Sequence, residues 1–214
     1  MNPDRLEKIR TVAKKRQNNL GLLLENIIDL HNIGAALRTA DSVGVKEVYI
    51  LYTGDENNPK KVKLGKKTSA GARKWLEIYL FNDVDACIAA IRSKYDKIYS
   101  THLDDNSKSL YDLELTESVV LAFGNEKRGI SEALLKACDG NFMIPQMGMA
   151  QSLNISVACA ISLYEAFRQR NEKQMYTTHL PQAEAEQIEL FESYVERSET
   201  VDRRHIVRIS EEDN

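Results

Sequence analysis

Cysteine is scarce: Cys87, Cys138 and Cys159 stand far apart among 214 residues, with no C-x-x-C. That spacing argues against a disulfide framework, and the apolar helical contexts predict buried, reduced thiols. The four histidines (His31, His102, His179, His205) show no metal-site spacing with cysteines or acids, so no metal is expected. No apolar run is long enough to cross a bilayer. The opening "MNPDRLEKIRTVAKKRQ" lacks the apolar centre of a signal peptide, so a cytoplasmic address is expected, with no membrane partner. G-x-G-x-x-G, G-x-x-x-x-G-K-[ST] and G-x-S-x-G are all missing. Dinucleotide-binding, P-loop and serine-hydrolase chemistry thereby lose their main support.

What is present is a core-forming composition, 43% hydrophobic and 29% charged, which excludes a disordered chain. The net charge of −3 is uneven. Residues 1–20 carry six basic and two acidic side chains, a local balance of +4, whereas residues 171–214 carry five basic and eleven acidic ones, a balance of −6. An acidic tail thus masks a basic front, and binding responds to the local field.

Leu6, Ile9, Val12 and Ala13 recur at helical spacing among basic residues, which predicts an amphipathic basic helix to about Arg16. Strands are expected at "LGLLLENI", "EVYILY", "WLEIYLF", "KIYSTHL", "SVVLAF" and "NFMIP". Helices are expected at "IGAALRTADSVG", "DVDACIAAIRSK", "SEALLKAC" and from about Ser152 to Arg170. Residues 53–74 are expected to form a long polar loop, and another amphipathic helix is expected around "AEQIELFESYVERS". The alternation is that of an α/β fold with a mostly parallel sheet flanked by helices.

Ligands of such sheets collect where strands hand over to helices, and three of these junctions carry unusual residues. In "HNIGAALR", Asn32 is placed to cap a helix, and Arg38 lies about a turn and a half further on. In "LAFGNEKRGIS", Gly124 and Gly129 allow close backbone approach, Glu126 stands beside Lys127 and Arg128, and Ser131 is a natural cap. In "IPQMGMAQSLNISVACA", Gln151, Ser152 and Asn154 separate a strand end from an apolar helix. Each junction reads either as a capped helix with solvated charges or as part of a ligand site, with Ser152 the expected cap of the last helix.

Taken in order, "NIGAALRTADSVGV", "LAFGNEKRGIS" and "IPQMGMAQSLNISVACAISLYEA" resemble the three motifs of the SpoU-type, or SPOUT, RNA 2′-O-ribose methyltransferases. The resemblance spans residues 20–170. The flanks "RLEKIRTVAKKRQNNLGLLLENI", "TSAGARKW" and "YEAFRQR…MY" resemble the TrmH subfamily, whose members methylate guanosine-18 in the tRNA D-loop.

That resemblance implies a fold with a C-terminal deep trefoil knot, which general topological rules alone would reject. It implies an S-adenosylmethionine (AdoMet) pocket lined by Thr101, Gly124, Ile144 and Leu153, and no metal. Arg38, Asn32, Glu126, Ser152 and Asn154 match the family's catalytic positions. Arg38 is the family's proposed activator of the 2′-hydroxyl; because guanidinium holds its proton, a charged clamp on phosphate and nascent alkoxide is the preferred reading. Arg128 is assigned no role. RNA contacts are expected from Arg10, Lys14, Lys15 and Arg16 of the first helix and from Lys66, Lys67 and Arg73 of the polar loop. The expected organisation is a basic helical extension (1–19), a methyltransferase domain (20–170) and a helical, acidic-tailed extension (171–214). A homodimer is expected, with the stripe Leu153, Val157, Ile161 and Tyr164 in its interface or, alternatively, against the sheet. Methylation of ribosomal RNA or of the tRNA wobble nucleotide, and a non-catalytic RNA-binding protein, are the competing functions.

Overall fold

The computed structural model describes residues 1–53, 71–104, 107–176, 181–199 and 206–209. In chain order it contains α1 (Pro3–Lys14), β1 (Gln17–Glu25), α2 (Leu30–Ser42), β2 (Val45–Leu51), β3 (Glu77–Phe81), α3 (Val84–Arg92) and β4 (Lys97–Thr101). It continues with β5 (Lys108–Ser109), β6 (Val119–Phe123), α4 (Glu132–Ala137), β7 (Gly140–Met143), α5 (Ile155–Glu172), α6 (Pro181–Glu199) and β8 (Ile206–Ile209). The strands form one sheet in the order β5-β7-β4-β6-β1-β2-β3-β8, and every described pairing is parallel.

The central strands are apolar at successive positions because both faces are covered. Leu22 and Leu24 of β1, Val48 and Ile50 of β2, and Leu121 and Phe123 of β6 point into one core with α2 and α5. Leu23, Tyr49, Leu51, Val120 and Ala122 point into the other, with α3 and α4. The terminal helices α1 and α6 make a third cluster, in which Ile9 and Ala13 pack on Leu190 and Tyr194 beside Trp75.

Four details differ from the sequence reading. Asp29, not Asn32, caps α2, its carboxylate accepting from the His31 amide at 2.8 Å. Asn154, not Ser152, caps α5, accepting from the Ser156 amide at 2.9 Å, so that helix starts three residues later. Two short edge strands, β5 and β8, went unanticipated; β8 lies in the acidic tail and pairs with β3. Neither carries enough residues to show a period of two.

The stripe divides: Ile161 packs against the sheet-side core and Leu153, ahead of α5, lines a pocket, whereas Val157 and Tyr164 face outward. Cys159, Leu163 and Ala166 face the sheet, while Val157 is 45% and Tyr164 51% exposed. Cys87 and Cys159 are buried and Cys138 is half-buried; all three are free thiols.

Candidate active site

A parallel sheet aims the carboxyl ends of its strands at one edge. There, β4, β6 and β7 open into a cavity of about 690 Å³. Thr101, Gly124, Glu126, Ile144, Ser152 and Leu153 line it, so all four residues assigned to cofactor binding share one pocket. Phe142, Ile144, Leu153, Ile155 and Ala158 make it apolar on one side, and Thr101, Gln146, Gln151 and Ser152 supply polar groups.

The loop after β6 is a tight hairpin. Asn125 and Gly129 exchange both backbone hydrogen bonds, at 3.0 and 2.8 Å. The Asn125 side-chain oxygen accepts from the Lys127 and Arg128 amides at 2.9 and 3.0 Å. Its amide group donates to the Asn26 carbonyl at 2.8 Å, tying the hairpin to the end of β1. Gly129 turns the chain at φ +70°, a conformation that favours glycine. A Cβ on Gly124 would meet the Gly129 carbonyl carbon at 2.3 Å, so the hairpin's own return already requires glycine there.

Beyond the hairpin, Ser131 caps α4 as its sequence suggests, accepting from the Leu134 amide at 3.3 Å. Its own amide and hydroxyl donate to the carboxylate of Glu25, at 2.8 and 2.5 Å. Glu25 is wholly buried at the end of β1, and the sequence reading missed it. The available signal was an acid closing an otherwise apolar strand, where burial demands hydrogen-bond donors.

The three junctions converge through side chains. Asn32 donates to the Glu126 carboxylate at 2.9 Å and accepts from the Asn154 amide group at 3.2 Å. Freed from capping by Asp29, Asn32 thereby bridges α2, the hairpin and the start of α5. The Tyr52 phenol, pushed up to about 12 first by burial and then by the Glu126 charge, lies close by and donates to the Ile27 carbonyl at 2.9 Å.

Arg38 is not brought into this pocket. It is exposed on α2, with no side-chain partner among the described residues. One turn further, the Ser42 hydroxyl lies 3.4 Å from the Tyr164 hydroxyl, so α2 and α5 present a common outer face.

The residues expected to bind RNA divide. Lys14 and Lys15 are exposed, and Arg10 lies over the Phe191 ring at 4.7 Å. Arg73 is half-buried in the turn before β3, and Lys66 and Lys67 lie outside the described residues. Arg16 is a correction: its side chain is 1% exposed and cannot reach a phosphate. Its guanidinium donates to the Tyr194 hydroxyl at 2.8 Å, the Val45 carbonyl at 2.9 Å and the Trp75 carbonyl at 3.2 Å, and it pairs with Asp41. These contacts also place α1 at the amino edge of the sheet, opposite the pocket.

Among the described residues no three His, Cys, Asp or Glu side chains are grouped to hold a metal, and no helix is long and apolar enough to cross a membrane.

The SpoU rRNA Methylase family matches residues 19–164. The tRNA (guanosine(18)-2′-O)-methyltransferase of Escherichia coli K12 is 35% identical over 195 residues, covering 90% of this chain and 82% of that protein. A crystal structure of the TrmH/SpoU tRNA modifying enzyme of A. aeolicus superposes with a TM-score of 0.77 at 33% identity, covering 90% of this chain and 97% of that one. An AdoMet-bound rRNA methyltransferase of Sinorhizobium meliloti superposes at 0.60 with 26% identity, covering 73% and 59%.

Proposed function

The chain belongs to the SpoU rRNA Methylase family, and we propose that it methylates the ribose 2′-oxygen of guanosine-18 in the tRNA D-loop. It is an AdoMet-dependent RNA 2′-O-methyltransferase. The observation that carries the target is the likeness to enzymes of that name over 90% of the chain. The reading implies a cytoplasmic enzyme.

The pocket fits the cofactor. Its volume lies within the range of small-molecule sites, and an apolar wall beside polar groups suits a flat base joined to a charged amino acid. Thr101, Gly124, Ile144 and Leu153 would hold it. When bound, AdoMet supplies a methyl group on a sulfonium sulfur. What remains for the chain is to orient the ribose and ease the loss of its 2′ proton. Asn32, Glu126 and Asn154, already joined at the pocket's rim, position the target nucleotide, and Ser152 supports the loop 144–153. Arg38 acts as a charged clamp on a substrate phosphate and the developing alkoxide.

Arg38 lies outside its own chain's pocket lining, and the α2–α5 face it shares exposes Val157 and Tyr164. Both facts support a homodimer built on that face, with Arg38 in or beside the interface. A monomeric Tyr164→Asp variant beside a dimeric parent in sedimentation is the expected result. The further elements of the reading are a trefoil knot and two extensions, 1–19 and 171–214, on a domain of residues 20–170. The insertion of β7 between β4 and β5, both of which precede it, supports a threaded path.

The test is a transcriptome-wide map of 2′-O-methylation with and without the protein. A change confined to guanosine-18 of tRNA is expected; a change in ribosomal RNA or at the wobble position would overturn the target.

A further inference from the structure

Most basic side chains packed around the sheet are engaged. Arg92 pairs with Asp139, Lys94 with Glu47, Lys97 with Glu117, Arg168 with Glu165 and Glu172, and Lys173 with Glu114. Arg170 is buried among carbonyls. Lys127 and Arg128, like Arg38 and Lys136, are not engaged among the described residues, but they alone of these four flank the pocket lining in the chain. They are exposed at the hairpin tip, and their side chains make no hydrogen bond, ion pair or ring contact among the described residues. The fold therefore does not need their charges.

The tip is nonetheless held firmly and in a telling place. The Asn125 side chain accepts both of their backbone amides and anchors the hairpin to Asn26. With those amides occupied, any anion at the tip must be held by the side chains. The residues on either side of the pair, Glu126 and Gly129, both line the pocket. The Glu126 carboxylate keeps its charge while accepting from Asn32, so two cations against one anion leave the hairpin tip with a net positive charge at the pocket's mouth.

We propose that Lys127 and Arg128 form a phosphate-binding clamp for the RNA strand beside the ribose being methylated. The proposal rests on the RNA-methylation reading and adds to it a contact on the pocket's own edge, unlike α1 at the opposite edge. Arg128 offers a planar fork for two phosphate oxygens and Lys127 a point charge.

Each phosphate contact releases counterions, so the double variant Lys127→Ala/Arg128→Ala should bind a tRNA transcript with a shallower salt dependence. The slope of log affinity against log salt should fall by about 1.4, for two contacts to a single strand. AdoMet affinity, measured by calorimetry, should stay unchanged, and Lys127→Arg/Arg128→Lys should retain the parent slope. Lys136→Ala removes an exposed lysine near the far end of α4 and should leave the slope alone. Neither alanine removes a described contact, so the double variant should fold with the parent's thermal midpoint.

An unchanged slope in the double variant, with a parent that binds and methylates tRNA, would overturn the clamp and leave the methylation reading standing. Weakened AdoMet binding with an unchanged RNA slope would also overturn it, by assigning the cations to the cofactor carboxylate. A parent that neither binds nor methylates any RNA would remove both.

Discussion

Asn32 and Glu126 lie 94 residues apart in the chain and share a hydrogen bond of 2.9 Å at the rim of the pocket. Asn32 also accepts from Asn154, so removing either end of the Asn32–Glu126 bond should disturb the same arrangement. In single-turnover methylation, Asn32→Ala and Glu126→Ala should each slow transfer, and the double variant should lose less than the two losses combined. A coupling of about 1–2 kcal/mol is expected for a hydrogen bond to a charged group at a partly open site. Glu126→Gln keeps an acceptor for Asn32 and should retain more activity than Glu126→Ala. Additive losses would show that the bond is incidental to transfer.

Arg16 should prove structural where its neighbours are not. Arg16→Ala leaves Asp41, Tyr194 and three carbonyls without their shared donor, a buried-network loss of about 3–5 kcal/mol. Arg16→Lys should rescue little, because an ammonium lacks the fork that reaches four elements at once. Lys14→Ala and Lys15→Ala should leave the thermal midpoint nearly unchanged while making tRNA binding less salt-dependent. Denaturant titration and filter binding separate the two effects.

Alkaline lability should begin near pH 9. Burial pushes the Cys87 thiol and the Tyr52 and Tyr176 phenols up to about 12 and the Cys138 thiol up to about 11, and raises Cys159, Tyr49 and Tyr95 as well. A folded-state pKa above the unfolded value gives stability that is complete below the unfolded value, about 9 for a thiol and about 10 for a phenol, and lost as pH climbs through the folded one. Arg170, pushed down to about 10 by burial, works in the opposite direction but is outnumbered. Urea midpoints should therefore fall from about pH 9 upward. Tyr52→Phe should flatten that fall, at a cost of about 1 kcal/mol near neutrality for the lost bond to Ile27.

The sheet was legible in the sequence because its central strands are buried on both faces and announce themselves as short apolar runs. The pocket was legible only through motif likeness: nothing in the spacing of Thr101, Gly124, Ile144 and Leu153 says that three strand ends meet. The caps failed for a physical reason. Asp29 and Asn32 are both good capping residues, as are Ser152 and Asn154, and local propensity does not choose between them. Tertiary contacts do: Glu126 and Asn154 occupy the Asn32 amide, leaving the cap to Asp29. Arg16 was misjudged because a basic cluster reads as one solvated face, whereas its partners Asp41, Trp75 and Tyr194 lie 25, 59 and 178 residues away. Glu25 carried a signal, an acid closing an apolar strand, but the sequence does not name its donor, Ser131, which lies 106 residues on.

Arg38 bears most of the proposed mechanism and none of the observed packing, which makes its substitution informative. It is exposed and unpartnered among the described residues, so Arg38→Ala should leave the thermal midpoint and AdoMet affinity unchanged. If it clamps phosphate and stabilises the nascent alkoxide, methyl transfer should fall by a factor on the order of 10²–10³, as for loss of a preorganised charge-stabilising donor. Arg38→Lys separates charge from base. A lysine keeps the charge without the planar fork, so a clamp should remain badly impaired. A general base should tolerate lysine better, because an amine gives up its proton more readily than a guanidinium, and the rate should then rise with pH towards 10. Single-turnover methylation of a tRNA transcript from pH 7 to 10 distinguishes them. Near-parent turnover by Arg38→Ala would remove Arg38 from the mechanism, and near-parent turnover by Arg38→Lys would replace the clamp with a base.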